Sequence, residues 1–295
     1  MKNPYEQLYI YNFDGVPVLD TLVENNTRFL GNWVEENTSF LFFSSPADLL
    51  IEQIREQNPR VSLIETYEMT CEQWHGDKIE PYFVENLCIA PPWNRPENWD
   101  ESENRDQPEN WHGPEKPLSN KGSKPAMIIL DPGVVFGTGR HQTTEDCLGL
   151  IHRLCGNEKI QTVLDIGTGT GLLSLGAAAL GCDKILACDF NRLAVKTTLK
   201  NIRLNGFEDR ILAFQAKGEE MVSIPCDLLV ANIHYDVMQH IISHPSFCEK
   251  KYFILSGLLN SETTRVMACL DKQPVHVIER RCPDGIWNTL LGRRL

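Results

Sequence analysis

Apolar and polar residues alternate in blocks along the second half of the chain, and this pattern predicts a strand–helix repeat. From Met127 onward, short apolar runs of strand length are separated by longer segments with helical spacing. Such alternation is typical of an α/β protein with a parallel, doubly wound sheet. The strand candidates are Thr162 to Ile166, Lys184 to Asp189, Arg210 to Ala216, Asp227 to Asn232 and Tyr252 to Ser256.

The last residues depart from this repeat. Val275 to Arg280 and Ile286 to Leu291 have the pattern of two strands, and Cys282-Pro283-Asp284-Gly285 joins them. A link this short joins neighbouring antiparallel strands in a hairpin. The pattern therefore predicts that the last strand of the sheet runs antiparallel.

Residues 1–90 have the pattern of a small α+β unit. Three strands and two helices are predicted here from the period of the apolar positions. The strand candidates are Leu8 to Phe13, Ser39 to Ser44 and Val61 to Thr66, and the helical stretches are roughly Val18 to Glu35 and Ala47 to Glu56.

Residues 91–125 differ in kind, with seven prolines, many Asn, Asp and Glu residues and few aliphatic ones. This composition indicates a linker or insert between two domains, residues 1–90 and 126–295. Pro-Glu-Asn-Trp occurs in it twice, ending at Trp99 and at Trp111. A short duplication explains the repeat, and the alternative is that the two tryptophans dock on a partner, since Trp is a favoured interface anchor.

Composition and charge narrow the class of protein. The N-terminus has no apolar signal-peptide core, and the sequence contains no apolar run long enough to span a bilayer. We therefore expect a cytoplasmic protein without membrane contact. Ten cysteines form no Cys-x-x-Cys pair, which favours reduced thiols and no metal site. A net charge of −12 argues against nucleic-acid binding and fits a basic protein partner.

The segment from Asp165 to Gly171 carries the strongest chemical signal. Glycines at 167, 169 and 171 directly follow a strand candidate, and a helix is predicted from Leu172. A nicotinamide dinucleotide site needs Gly-x-Gly-x-x-Gly, whose third glycine would fall on Leu172. Asp165 would oppose a pyrophosphate and suits the cationic amine of S-adenosylmethionine, so this loop predicts a methyl-donor site.

Two further strand ends carry polar residues. Asp189 lies twenty-two residues after Gly167, where a carboxylate can accept both ribose hydroxyls, although it can also cap the following helix. Because Asn191 can supply that cap, ribose binding is favoured. Asn232 ends the fourth strand candidate, where it could either tie a turn or use its carbonyl to aim the lone pair of an attacking amine.

A glycine-rich loop precedes the first long strand. It runs from Asp131 through Gly133, Gly137 and Gly139 to a pair of threonines. Thr143 or Thr144 is expected to cap the helix that follows, whose apolar face includes Cys147 and Leu148. Capping explains one threonine and leaves the glycine-rich run unexplained.

The runs DPGVVFGTGRHQTT (131–144), DIGTGTG (165–171) and ANI (231–233), in this order, resemble the PrmA family of class I methyltransferases, which methylate ribosomal protein L-eleven. The likeness extends to WNTLLGRR at 287–294 and to NLCIAPPW at 86–93. It implies a seven-stranded Rossmann-like sheet behind a small N-terminal substrate-recognition domain. It also implies S-adenosylmethionine as cofactor, and the positions matching its contacts are Thr144, Gly167, Asp189 and Asn232.

The same resemblance extends the expected cofactor site to Asp165, Gly169 and Gly171 and to Phe136, Gly137 and Thr138. His141, His234 and Tyr235 are candidates to line the acceptor pocket, although the last two could merely begin a helix. Two differences from the family concern the part that selects the substrate, namely a shorter N-terminal region and the insert at 94–124.

The resemblance implies transfer of methyl groups to a lysine ε-amino or an α-amino group of a protein, most simply a ribosomal one. Asn232 is then the residue expected to orient the acceptor amine. Two alternatives remain, a different protein or small amine as acceptor, and a non-catalytic module that binds partners through its tryptophan insert.

Overall fold

The computed structural model describes residues 3–76, 78–96, 125–135 and 137–295, here called the described part of the chain. Its strands form a four-stranded, a three-stranded and a seven-stranded sheet. Trp99, Trp111 and Phe136 lie outside these ranges, so the expectations placed on them remain predictions.

The four-stranded sheet belongs to the N-terminal part. It is antiparallel, with the order β2-β3-β1-β4. The strands are β1 (Gln7–Asp14), β2 (Phe29–Glu35), β3 (Thr38–Phe43) and β4 (Ser62–Thr70), and the helices are α1 (Thr21–Glu24), α2 (Asp48–Gln57) and α3 (Cys71–His75).

Both faces of this sheet are covered, because β1 carries apolar side chains on each of its two faces. Tyr11 and Phe13 pack with the buried Ile51 and Ile54 of α2 on one face. Leu8 and Ile10 lie on the other face, against residues from the C-terminal part that include Val134, Val135 and Leu193. The apolar alternation of one strand thus supplies two separate cores.

The helix predicted from Val18 to Glu35 is wrong for most of its length. Only α1 is helical, and Phe29–Glu35 is the strand β2, paired with β3 from Glu35↔Thr38 to Phe29↔Phe43. Apolar residues here allow either period, and the hydrogen-bonded partner strand decides the outcome. Gly31, in mid-segment, further disfavours a helix.

The three-stranded sheet joins segments on both sides of the insert. Its strands are β5 (Tyr82–Val84), β6 (Leu87–Ala90) and β7 (Ala126–Ile129), and β7 runs parallel to β6. Leu87, Ile89 and Ile128 are buried in the same core as the first helix of the C-terminal part. The predicted boundary at residue 90 therefore falls inside a sheet that packs with the C-terminal part.

The C-terminal part is an α/β unit with a mostly parallel sheet of order β10-β9-β8-β11-β12-β14-β13, which confirms the predicted class. The seven described strands are β8 (Thr162–Ile166), β9 (Lys184–Asp189), β10 (Ile211–Gln215), β11 (Leu228–Asn232), β12 (Tyr252–Leu259), β13 (Val275–Arg281) and β14 (Trp287–Arg294). The helices are α4 (Gln142–Asn157), α5 (Leu172–Ala179), α6 (Arg192–Asn205), α7 (Gly218–Met221), α8 (Tyr235–Ser243) and α9 (Asn260–Leu270). The last strand, β14, is antiparallel to β12 and β13.

Helices cover both faces of this sheet, as its continuous apolar strands require. Leu228 and Val230 of β11 join the core that contains α4 and α5, whereas Leu229 and Ala231 join the core that contains α8 and α9. The chain order reverses between the central strands β8 and β11. Ligands of such sheets bind beyond the carboxyl ends of the strands at this point.

Two findings concern the protein's wider chemistry. All ten cysteines are free, and Cys147 and Cys188 are fully buried, whereas Cys269 is partly exposed. In the described part of the chain, no helix combines the length and apolar character needed to cross a bilayer.

Candidate functional site

The glycine loop (residues 165–171) turns from β8 into α5. Gly167, Gly169 and Gly171 all have positive φ, at 72°, 56° and 85°. A Cβ at Gly167 would lie 2.2 Å from the Cγ2 atom of Ile233, directly after β11. The loop therefore requires glycine both for its conformation and for its close approach to the end of β11.

Asp165 is the first residue of this loop and is 1% exposed. One carboxylate oxygen, Oδ2, accepts hydrogen bonds from the hydroxyls of Thr168 at 2.7 Å and Ser174 at 2.6 Å. The other, Oδ1, is buried with no hydrogen-bond partner in the described part of the chain. Burial raises the pKa of Asp165 above its ordinary value. A buried acceptor without a donor is costly, so this oxygen is suited to a donor that arrives with a ligand.

Asp189, at the end of β9, is linked to the glycine loop. Its Oδ2 accepts from the Gly169 N–H at 3.0 Å, and its Oδ1 accepts from the Asn191 N–H at 2.9 Å. Asn191, not Asp189, caps α6, since its side chain accepts from the Leu193 N–H. Burial raises the pKa of Asp189. Each carboxylate oxygen has a second lone pair, so both can accept from a ligand.

The 131–141 loop lies against the glycine loop. The Thr170 hydroxyl donates to the Gly137 carbonyl at 2.8 Å. The Asn201 amide of α6 donates to the carbonyls of both Asp131 and Thr170, at 2.9 Å each. The Thr138 carbonyl accepts from the Tyr82 hydroxyl at 2.9 Å. Gly137 thus adjoins the glycine loop, whereas the contact of Thr138 is with β5.

The predicted threonine cap of α4 is wrong. His141 is the N-cap residue, and its Nδ1 lies 2.8 Å from the Thr143 hydroxyl and 3.4 Å from the Thr143 nitrogen. The His141 ring packs edge-on against Trp287, with 5.4 Å between centroids. Because histidine takes the capping position, both threonines lie within the first turn of α4, and each hydroxyl oxygen can still accept from a further partner.

That partner is Asn232. Its Nδ2 lies 3.2 Å from the Thr143 hydroxyl oxygen and 3.4 Å from that of Thr144. An amide nitrogen can only donate, so these contacts fix which end of the amide faces α4. The carbonyl end adjoins Gly257, where a Cβ would lie 3.2 Å from Asn232 Oδ1. The amide is held at its nitrogen, while its carbonyl oxygen accepts no hydrogen bond in the described part of the chain.

His234 and Tyr235, the other two candidates for the acceptor pocket, differ in exposure and contacts. His234 is exposed at the start of α8, and Tyr235 is the first residue of that helix. The Tyr235 ring packs under the Arg265 guanidinium, 4.2 Å from its centroid. The two residues do begin the next helix, and Tyr235 is oriented toward α9.

Sequence reasoning missed three residues at this edge of the sheet. Phe190, directly after Asp189, is 56% exposed, which is unusual for an aromatic residue beside a buried carboxylate. Ser256 and Thr289 are fully buried, with their hydroxyl oxygens 2.6 Å apart, and Ser256 pairs with Asn232 across the sheet. Phe190 could have been found from the sequence, because it is an apolar residue directly after a strand-end Asp. Ser256 and Thr289 could not, because their proximity depends on how β12 pairs with β14.

Fold and site together define an α/β methyltransferase-type unit, with a Rossmann-like sheet and a glycine loop at its topological switch point. A crystal structure named as ribosomal protein L11 methylase from Lactobacillus delbrueckii subsp. bulgaricus has this fold. It has a TM-score of 0.55 and 24% sequence identity, over 73% of this chain and 98% of that one.

The chain belongs to the ribosomal protein L11 methyltransferase (PrmA) family, whose model matches residues 110–295. The ribosomal protein L11 methyltransferase of Lactococcus lactis subsp. lactis is 36% identical over 172 residues, which are 57% of this chain and 53% of that protein. That of Bacillus pumilus is 34% identical over 155 residues, or 52% and 49%. The chain thus spans about half the length of the curated relatives it matches.

Proposed function

We propose that this protein is an S-adenosylmethionine-dependent N-methyltransferase that acts on amino groups of a protein. The observation that carries the proposal is the convergence of three strand ends. The glycine loop at the end of β8 bonds Asp189, the last residue of β9, and closely approaches Ile233. Ile233 directly follows Asn232, the last residue of β11, whose amide is held by Thr143. Family membership supports the same chemistry.

The residues at this site fit S-adenosylmethionine. The unpaired Oδ1 of Asp165 suits the ligand's ammonium group, and the free lone pairs of Asp189 suit two ribose hydroxyls. The exposed ring of Phe190 suits one face of the adenine. The ligand would also contact the protein backbone at Gly167, Gly169, Gly171, Gly137 and Thr138. When bound, this group supplies an electrophilic methyl carbon on a sulfonium.

The chain's own residues must bring a neutral amine into line with that carbon. The Asn232 carbonyl accepts an N–H of the acceptor and aims its lone pair, while Thr143 and Thr144 hold the amide. A lysine acceptor has a free pKa of about 10.4, so it must lose a proton first. Partial burial at this edge lowers that pKa, and no dedicated strong base is required.

The acceptor is proposed to be a ribosomal protein, since the relatives are named for methylating L11. Residues 3–76, with the four-stranded sheet, are proposed as the substrate-recognition unit, because they form a separate sheet packed against the 131–141 loop. His141, whose ring packs against Trp287, is proposed to line the acceptor's path. This function implies action in the cytoplasm and needs no nucleic-acid contact.

A radiolabel experiment tests the proposal. The full chain is incubated with tritiated S-adenosylmethionine and either purified ribosomal protein L11 or total ribosomal proteins depleted of L11. Label on L11 alone supports the proposal in full. Label on a different protein refutes L11 as acceptor and keeps the chemistry. Absence of label, despite calorimetric binding of S-adenosylhomocysteine, refutes the enzymatic role.

A further inference from the structure

The four-stranded sheet has one open side in the described part of the chain. Its faces are covered by α2 and by the residues around Val134. The outer edge of β2 lies against the start of α6, where the Asn191 amide donates to the Val34 carbonyl at 3.3 Å and Leu193 packs against Gly31. The outer edge of β4 has no strand partner in the described ranges, since β4 pairs with β1 alone.

This edge is competent to pair with a further strand. β4 contains no proline, and its pairing with β1 is regular from Glu65 to Thr70, after a register shift near Ile64. Six extended residues present about 20 Å of edge. Alternate backbone N–H and C=O groups along such an edge are available to an added strand.

Charge indicates what kind of strand would pair there. Residues 3–76 contain twelve Asp and Glu and only three Lys and Arg, whereas residues 126–295 contain eighteen of each. Glu65 and Glu68 are exposed on β4 itself, and Glu72 is exposed just beyond it. Charged residues on an edge also deter self-association, but their single sign attracts a cationic segment as well.

The edge also leads toward the candidate site. β4 ends at Thr70, which caps α3. From α3, the Trp74 Nε1–H donates to the Val134 carbonyl at 2.9 Å, and His75 Nε2 lies 3.0 Å from the Gly133 carbonyl oxygen. These contacts fix the end of β4 to the 131–141 loop, whose Gly137 is bound by Thr170 of the glycine loop.

We propose that the β4 edge, from Glu65 to Thr70, is where the methyl-acceptor protein docks, through an extended segment rich in Lys and Arg that adds a strand to the sheet. The inference rests on the proposed function and deepens it. Backbone pairing supplies register, the acidic side chains select a cationic segment, and the link to the 131–141 loop directs the bound protein toward Asn232.

The first test is backbone hydrogen exchange on the full chain, alone and with purified ribosomal protein L11. Alternate amides of residues 65–70 should exchange rapidly in the free protein and slow at least tenfold on adding L11. Protection already present in the free protein at all concentrations would mean that the chain covers its own edge. Protection that depends on protein concentration would indicate a second copy. Either result overturns the proposal.

The second test compares matched charge reversals. E65K/E68K alters the edge, and E52K/E56K makes the same change in charge on exposed residues of α2. Only the edge variant should raise KM for L11, by about tenfold or more, with kcat kept within about twofold. Equal increases in both would indicate long-range attraction without docking and would overturn the proposal. Should E65K/E68K not fold, E65Q/E68Q is measured in its place.

The two tests separate failure of the docking proposal from failure of the proposed function. Methylation of L11 without protection of residues 65–70 refutes the docking site and leaves the function intact. Protection by L11 without its methylation refutes L11 as acceptor and keeps the docking surface. If neither occurs, both proposals fail for this protein pair.

Discussion

The orienting role of Asn232 makes the sharpest prediction, through the variant Asn232→Ala. The amide nitrogen bonds the hydroxyls of Thr143 and Thr144, and the carbonyl is left for the acceptor amine. As the amine is methylated it gains positive charge, so its hydrogen bond to the carbonyl strengthens in the transition state. A hydrogen bond to a charged group contributes about 1.5–3 kcal/mol. Its loss corresponds to a decrease of roughly 10- to 150-fold in kcat.

Cofactor affinity should change little in this variant, within about threefold, because the threonine hydroxyls can rotate to new partners. Single-turnover methyl transfer gives the rate, and titration calorimetry with S-adenosylhomocysteine gives the affinity. Asn157→Ala, which removes an exposed amide at the end of α4, is the matched control and should leave both unchanged. Equal losses in rate and affinity for Asn232→Ala would refute the orienting role, and so would a rate decrease below threefold.

Three further predictions follow from the same edge of the sheet. Burial raises the pKa of Asp165, so the free energy of unfolding of the wild type should fall as pH rises from about 4 toward that raised value. Asp165→Asn should remove this pH dependence and weaken cofactor binding at least tenfold. Thr289→Val removes the close partner of the buried Ser256 hydroxyl, which then keeps only a 3.5 Å contact to the Thr143 carbonyl. The change should cost about 1–3 kcal/mol in denaturant unfolding, with Thr289→Ser restoring most of it. Gly257→Ala places a Cβ 2.9 Å from the Ile233 carbonyl at a φ of 80°, and should lower kcat and melting temperature together.

The inner strands of the C-terminal sheet, such as β8 and β11, were predictable because they are buried on both faces. The bounds expected for β8 and β9 agree with the structure to the residue, since continuous apolar runs between polar turns leave little choice. The segment from Phe29 to Glu35 has no such constraint. Its apolar residues suit a helix or an edge strand, and pairing with β3, which local sequence does not encode, selects the strand.

The candidate site was predictable where chemistry follows directly from a strand end. Asp189 beside the glycine loop and Asn191 as the helix cap both agree with the sequence interpretation. The partners of Asn232 were not predictable, because they depend on how α4 lies over β11. A threonine cap was expected because histidine ranks below threonine in capping preference. With His141 as the cap, both threonine hydroxyl oxygens lie within reach of the Asn232 amide.

The parallel pairing of β6 with β7 affects how the sequence between these strands can evolve. β6 ends at Ala90, and β7 starts at Ala126 beside Leu87, so the crossover between them must span only about 11 Å. A parallel crossover needs about a dozen residues, and lengthening it to the present thirty-five costs only about 1 kcal/mol in chain entropy. The sheet holds both ends in register whatever lies between them. This connection is therefore a position where sequence can be gained, duplicated or exchanged with almost no effect on the C-terminal α/β unit.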